Sequence, residues 1–293
     1  MGFRVVVVKN RAKLEHRLNS LVVRGETEKK IFINEINTLV VQSTAVSLTA
    51  SLLNELTKNN IKVIFCDEKC NPSSELVPYY GAHNTSKKYK EQVGWTNNAK
   101  KEVWTAIVKR KIFEQANHLK DLGSEEQSNM LNEYCGQVTL NDESNREGHA
   151  AKVYFNCILG SENSRQKGGF VNGCLNYGYA ILLSAFNREI VASGFMTQLG
   201  IWHDNEFNQF NLSCDLMEPL RVVVDRLALC IEYGDVDFKK KLTNVLNFTA
   251  YIDGKKTTLD LAIRQYVHSV FNALNKGDAK LITFPEKVEV DEL

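Results

Sequence analysis

Hydrophobic periodicity changes character once along this chain, near residue 80, and that change limits the fold more than any other feature. Before it, apolar residues come in short, largely β-branched runs at 3–8, 18–23, 30–33, 38–42 and 62–66, bounded by polar or Gly-containing turns such as Arg24-Gly25-Glu26. Runs of this length and boundary read as strands. Among them, residues 47–59 place Leu48, Leu52, Leu53 and Leu56 at helical spacing, one helix to lay over a small sheet. Cys70-Asn71-Pro72-Ser73-Ser74 and residues 78–86 read as loops. Beyond them apolar residues recur at helical intervals: Trp104, Ile107, Val108, Ile112 and Ala116, then Val153, Tyr154, Ile158 and Leu159, then Leu175, Ala180 and Leu183, and finally 262–274. Only 4 prolines in 293 residues leave such helices uninterrupted. The expectation is an α+β chain: a small β-rich N-terminal domain with one helix over 1–80, a linker over 81–95, a large all-helical domain over 96–277 and an acidic tail over 278–293.

Composition excludes several classes. Hydrophobic residues at 43% and charged residues at 24% argue against disorder. No apolar run approaches the length of about 20 residues that spans a bilayer, and the start, Met1-Gly2-Phe3-Arg4-Val5, lacks the pattern of a signal peptide. A cytoplasmic protein with no membrane partner is expected, and an odd count of 7 cysteines fits thiols in a reducing compartment. Net charge is +1, but its distribution is uneven. Residues 87–120 hold nine Lys or Arg against three Glu, and residues 278–293 hold five acids against two bases. A basic middle permits nucleic-acid binding; a solvated helix face would look the same.

Several catalytic signatures are absent. Gly173-Cys174-Leu175-Asn176-Tyr177-Gly178 continues into Tyr179 rather than the Lys-Ser/Thr of a phosphate-binding loop, and there is no G-x-S-x-G or H-E-x-x-H. Cys66-x3-Cys70 has no second pair with which to close a zinc site.

Three segments carry candidate chemistry. Asn145-Arg146-Glu147-Gly148-His149-Ala150-Ala151 opens a helix with Glu147 in its first turns, where a carboxylate also complements the helix dipole. Gly200-Ile201-Trp202-His203 ends on a histidine that a structural role would equally explain. In Cys214-Asp215-Leu216-Met217-Glu218-Pro219-Leu220-Arg221, Asp215 and Glu218 have the spacing of a capping box. Together, two carboxylates and one imidazole from separate segments make an incomplete oxygen and nitrogen set whose open positions suit water or phosphate oxygens on Mn2+ or Mg2+.

These residues resemble the CRISPR-associated adaptation integrase, the endonuclease subunit that inserts new spacers, of the type II sort. The likeness covers nearly the whole chain. Its firmest marks are Arg146-Glu147-Gly148-His149-Ala150-Ala151, Leu175-Asn176-Tyr177-Gly178-Tyr179-Ala180, Gly200-Ile201-Trp202-His203 and Asp215-Leu216-Met217-Glu218-Pro219-Leu220-Arg221. Glu218 stands where many relatives carry Asp, and residues 168–174 depart from the common Asp-Pro and Ala-Leu. The resemblance implies a helical catalytic domain and a metal-dependent DNA integrase using Mg2+ or Mn2+. Glu147, His203 and Glu218 would be its catalytic metal ligands, with Asp215 a fourth acidic position. It also implies a homodimer, formed through the N-terminal domain, that works with double-stranded DNA and a small ferredoxin-like adaptation partner. The type II likeness adds the effector nuclease and an accessory adaptation protein as expected further partners. A stand-alone repair or junction nuclease, or a catalytically silent DNA-binding subunit, are the other readings of the same residues. Phosphate contacts are expected from Lys87, Lys88, Lys90, Lys100, Lys101, Lys109, Arg110 and Lys111, near Tyr79, Tyr80 and His83, with Arg11 a candidate at DNA ends. The acidic tail is a candidate for contacting a basic partner or shielding DNA.

Overall fold

The computed structural model describes residues 2, 4–78, 82–160 and 169–290, and divides into a β-rich unit, Met1–Gly81, and a helical unit, Ala82–Leu293. The first unit contains β1 (Arg4–Val8), β2 (Ala12–Arg17), β3 (Ser20–Arg24), β4 (Glu28–Phe32), β5 (Ile36–Val41), β6 (Val46–Leu48), α1 (Ala50–Lys58), β7 (Lys62–Cys66) and β8 (Pro72–Glu75). One sheet runs β1-β5-β7-β8, with β1, β5 and β7 parallel and β8 antiparallel. All six residues of β5 are buried, as a central parallel strand requires. The other sheet runs β4-β3-β2-β6, an antiparallel meander with β6 added parallel to β2. Leu14 and Leu21 of one sheet, Leu39 and Val63 of the other, and Leu52 and Leu56 of α1 share a single core. Thr49 caps α1, its hydroxyl accepting from the Leu52 N–H at 3.3 Å.

The structure adds strands that apolar runs did not reveal. β2 reads as polar because Lys13, Glu15, His16 and Arg17 interrupt it, yet Leu14 is in the core. Glu15 is mostly buried and ion-paired to Lys13, Arg17 and Arg24, the last across the strand pair at 2.9 Å. The expected strand start at Leu18 is instead a tight turn in which Leu18 and Asn19 both have positive φ, the two-residue geometry that matches strand twist. The expected loop at 70–74 contains most of β8. Phe3, Tyr79 and Tyr80 lie outside the described residues.

The second unit contains α2 (Thr85–Val93), α3 (Asn97–Asp121), α4 (Glu125–Gln137), α5 (Arg146–Leu159), α6 (Phe170–Ala192), α7 (Asn211–Met217), α8 (Arg221–Cys230), α9 (Phe238–Thr243), β9 (Thr249–Ile252), β10 (Lys255–Thr258), α10 (Leu259–Lys276) and β11 (Lys287–Val288). α3 is the axis: α4, α5, α8 and α10 all pack on it, and its stripe Trp104, Ile107, Val108, Ile112 and Ala116 is buried. α6 packs on α7, α8, α9 and α10. Gly178 permits this closeness, since a Cβ there would lie 2.5 Å from Val224 on α8.

Two expectations about this unit are corrected. The segment 81–95 is not simply a linker: α2 occupies it, and Gln92 is fully used, giving Nε2 to the carbonyls of Met196 and Leu199 and accepting from the Met196 N–H. The helical unit also holds a small antiparallel sheet in the order β10-β9-β11. Its hairpin turns at Asp253-Gly254, both at positive φ, an aspartate-glycine pair suited to that turn. Within the described part of the acidic tail, β11 pairs with β9. No helix among the described residues is long and apolar enough to cross a membrane.

Candidate active site

Four segments of the helical unit bring the candidate residues into place. Glu147 sits in the first turn of α5. Its placement is set by Asp142, a buried carboxylate that accepts from the Arg146 N–H at 2.8 Å and the Glu147 N–H at 2.9 Å. Asp142 thereby satisfies two of the unpaired donors at that helix start. Glu218 opens the tight turn Glu218–Leu220 between α7 and α8, with Pro219 just inside it. Asp215 is inside α7, so the capping-box spacing does not correspond to a cap here.

Asp215 instead folds a loop. Fully buried, it accepts from the backbone N–H groups of Ile201 at 2.6 Å, Trp202 at 3.1 Å and His203 at 3.1 Å. The same carboxylate meets the His203 ring at Nδ1, 2.6 Å away. Gly200 is required by this wrap: a Cβ there would lie 2.3 Å from the His203 carbonyl oxygen and 2.8 Å from the Asp215 carboxylate. Trp104 flanks the loop, stacking on Trp202 at 5.5 Å and meeting the His203 ring edge-on at 5.9 Å. The hydrogen bond and charge of Asp215 outweigh burial and raise the His203 pKa, with Glu218 and Glu147 contributing from farther off.

The two glutamates converge on Lys111 of α3. Its ammonium lies 2.5 Å from Glu147 Oε1 and 2.6 Å from Glu218 Oε2, and Arg221 Nε lies 3.0 Å from Glu218 Oε1. Burial alone would push the Glu218 carboxyl up; Lys111 and Arg221 reverse that and hold it below the usual range. For Lys111 burial lowers the pKa, but Glu218 and Glu147 raise it overall. Both groups are therefore charged at neutral pH.

Among the described residues no three His, Cys, Asp or Glu side chains are already gathered into an ion cage. The donor chemistry nevertheless suits a hard divalent cation. Two carboxylates already meet on one positive charge. Glu218 Oε2 is buried and has an ionic contact but no aligned hydrogen bond. His203 commits Nδ1 to Asp215, leaving Nε2 as its remaining ligand atom, the arrangement in which a carboxylate orients a metal-binding histidine.

The expected DNA contacts separate. Lys87, Lys90, Lys109, Arg11 and His83 are exposed, and Lys100 and Lys101 half-buried. Lys88 pairs with Glu91 at 2.8 Å and lies over the Phe195 ring. Two more of them have partners within the chain. Arg110 pairs with Glu114 at 2.6 Å and donates to the Pro285 carbonyl, which fastens the C-terminal segment to α3. Lys111 belongs to the carboxylate cluster rather than to the outer surface. It follows Trp104 by seven residues and Ile107 by four, which sets it on the face of the buried stripe; its carboxylate partners come from other segments. Arg221 and Asp142 were not singled out from the sequence. Arg221 lay within a quoted motif, whereas Asp142 precedes a helix by a distance no simple capping rule marks.

The model for CRISPR associated protein Cas1 matches residues 5–250. A relative, the CRISPR-associated endonuclease Cas1 of Neisseria meningitidis serogroup C (strain 8013), is 28% identical over 300 residues, covering 100% of this chain and 99% of its own. A structure described as a casposase bound to integration product superposes with TM-score 0.77 at 18% identity, covering 99% of this chain and 93% of that one. A chain of a Cas6-RT-Cas1--Cas2 complex superposes with TM-score 0.70 at 18% identity, over 95% of this chain and 36% of that one. Those two likenesses concern the fold, while the family match spans most of both units and every candidate ligand. This chain belongs to the CRISPR-associated Cas1 family.

Proposed function

We propose that this chain is a metal-dependent DNA integrase and endonuclease of CRISPR adaptation, joining spacer DNA into the repeat array by transesterification. The observation that carries the reading is the convergence of Glu147 and Glu218 on one cationic point beside the Asp215-oriented His203. Glu147, Glu218 and His203 Nε2 would hold Mg2+ or Mn2+. Bound there, the ion would favour deprotonation of an attacking DNA 3′-hydroxyl and neutralise charge on the in-line transition state. Asp215 fixes the ring so that Nε2 stays available, and Arg221 keeps Glu218 ionised and oriented. No covalent enzyme intermediate is needed, in keeping with a site that lacks a serine, tyrosine or cysteine nucleophile motif.

A strand-transfer assay tests this, using a duplex with 3′-hydroxyl ends and a repeat-containing target, with Mn2+ or with chelator. Metal-dependent joining that Glu218→Gln abolishes is expected. Cutting without joining would favour a stand-alone nuclease, and DNA binding with neither reaction a silent subunit; either result overturns the reading.

The type II assignment rests on the motif resemblance around Glu147, His203 and Glu218, and the effector nuclease and accessory protein as partners follow from it. The Cas1--Cas2 neighbour supports assembly with the second adaptation protein. The open edge of β1, a largely half-buried strand paired on one side by β5, supports self-association through the N-terminal unit. Light scattering should give about twice 33.2 kDa; a monomer that integrates fully without a partner would defeat the assembly.

A further inference from the structure

Lys111 stands at the point where the proposed metal ligands meet. Its side chain is 11% exposed, and it enters from α3 while the carboxylates enter from α5 and from the turn before α8. A buried ammonium is tolerable only when paired, and two carboxylates aimed at one point repel unless a cation separates them. Each therefore stabilises the other's position. Arg221 does not replace Lys111 in this role, because it reaches the far oxygen of Glu218, Oε1. The oxygens turned toward the shared point, Glu147 Oε1 and Glu218 Oε2, both contact the Lys111 ammonium.

A divalent cation held by both glutamates would have to compete with Lys111 for the same carboxylates. An ammonium 2.5 and 2.6 Å from them fills the volume the ion would enter, and two cations at such range repel strongly in a site with little water. Lysine is suited to yielding, since its ammonium is a compact charge on a flexible four-carbon stem.

We propose that Lys111 is a built-in competitor for the metal: it holds Glu147 and Glu218 together in the metal-free protein and must swing out before a divalent cation can bind both. The inference rests on the metal-dependent reading above. It makes Lys111 a positioning residue and sets a threshold for metal loading. If the ammonium occupies the site in about nine of ten molecules, apparent metal affinity falls about tenfold.

The test is calorimetric titration of Mn2+ into the DNA-free full-length chain, comparing the parent with Lys111→Met and with Glu218→Gln made in each background. Lys111→Met should bind Mn2+ about tenfold more tightly. It should also melt lower without metal and show a larger Mn2+-induced rise in Tm, with Glu218→Gln removing binding in both backgrounds. Equal or weaker binding by Lys111→Met, still sensitive to Glu218→Gln, would overturn the competitor role and leave the metal reading standing. No Glu218-dependent binding in either background would overturn the metal reading itself. Lys111→Arg keeps the charge between the carboxylates and guards against a misfolded Met variant; it should bind Mn2+ no more tightly than the parent, and a tenfold gain there would also overturn the proposal.

Discussion

Asp215 and Asp225 lie ten residues apart, both are almost wholly buried, and they are used in different ways. Asp215 accepts from three consecutive backbone N–H groups of one loop and from the imidazole that loop carries. Asp225 accepts from two phenols, Tyr154 of α5 at 2.9 Å and Tyr179 of α6, and Tyr154 meets His118 of α3 at 2.6 Å. The first carboxylate shapes a loop and holds the imidazole that loop carries; the second ties four helices into a frame. Arg221 joins the frame to Glu218: it lies over the Tyr179 ring at 5.0 Å and pairs with that carboxylate. A buried acid is thus not by itself a sign of chemistry. What distinguishes the site is a partner atom left for a ligand.

The contrast breaks first at the glutamates. Glu147→Gln and Glu218→Gln should each reduce strand transfer by about a hundred- to a thousandfold, the scale seen when one transition-state electrostatic group is lost, while circular dichroism stays native. Residual joining above a few per cent would place the chemistry elsewhere. Asp215→Asn comes next. It should lower strand transfer and Mn2+ affinity by about 10–100-fold, as loss of a carboxylate behind a ligating histidine does, with a smaller change in Tm. A variant that unfolds without a loss of specific activity would make Asp215 a frame residue like Asp225. Tyr154→Phe should do the reverse: it removes the hydroxyl between His118 and Asp225 at a cost of about 1–3 kcal/mol, yet leaves strand transfer at low temperature within about twofold. Unfolding in denaturant beside a rate measurement separates the two effects.

The frame also carries a pH signature. Burial pushes the His118 pKa down from 6.5 to about 4, with Arg226 adding to the fall. A histidine depressed in the folded state stabilises fully above its unfolded pKa. As pH falls from 6.5 toward 4 the unfolded chain takes up the proton first, so up to about 3 kcal/mol is lost across that window. His118→Gln should flatten that part of the stability profile. An unchanged slope would assign acid sensitivity to other groups.

Much of this was legible beforehand, for identifiable reasons. The α3 stripe from Trp104 to Ala116 showed because one-sided burial imposes a helical period on apolar residues, and β5 and β7 showed as short continuous apolar runs because they are buried on both faces. β2 did not, because its buried carboxylate Glu15 is neutralised by cations on β2 and β3. The β9–β10 hairpin was missed although Asp253-Gly254 is a strong turn signal, because the flanking strands are only four residues long. The identities of Glu147, His203, Asp215 and Glu218 came from motif likeness. That Asp215 folds the loop, and that Lys111 lies between the glutamates, depends on contacts between distant segments, which periodicity does not encode.

The central claim is that Glu147, His203 and Glu218 form one metal site. Crystals of the full chain soaked in Mn2+ and measured at the manganese absorption edge test it directly. The account predicts an anomalous peak touching Glu147, Glu218 and His203 Nε2, with the Lys111 ammonium withdrawn from between the glutamates. A peak elsewhere, or no peak at the glutamates with Lys111 still bridging them at saturating Mn2+, would contradict it.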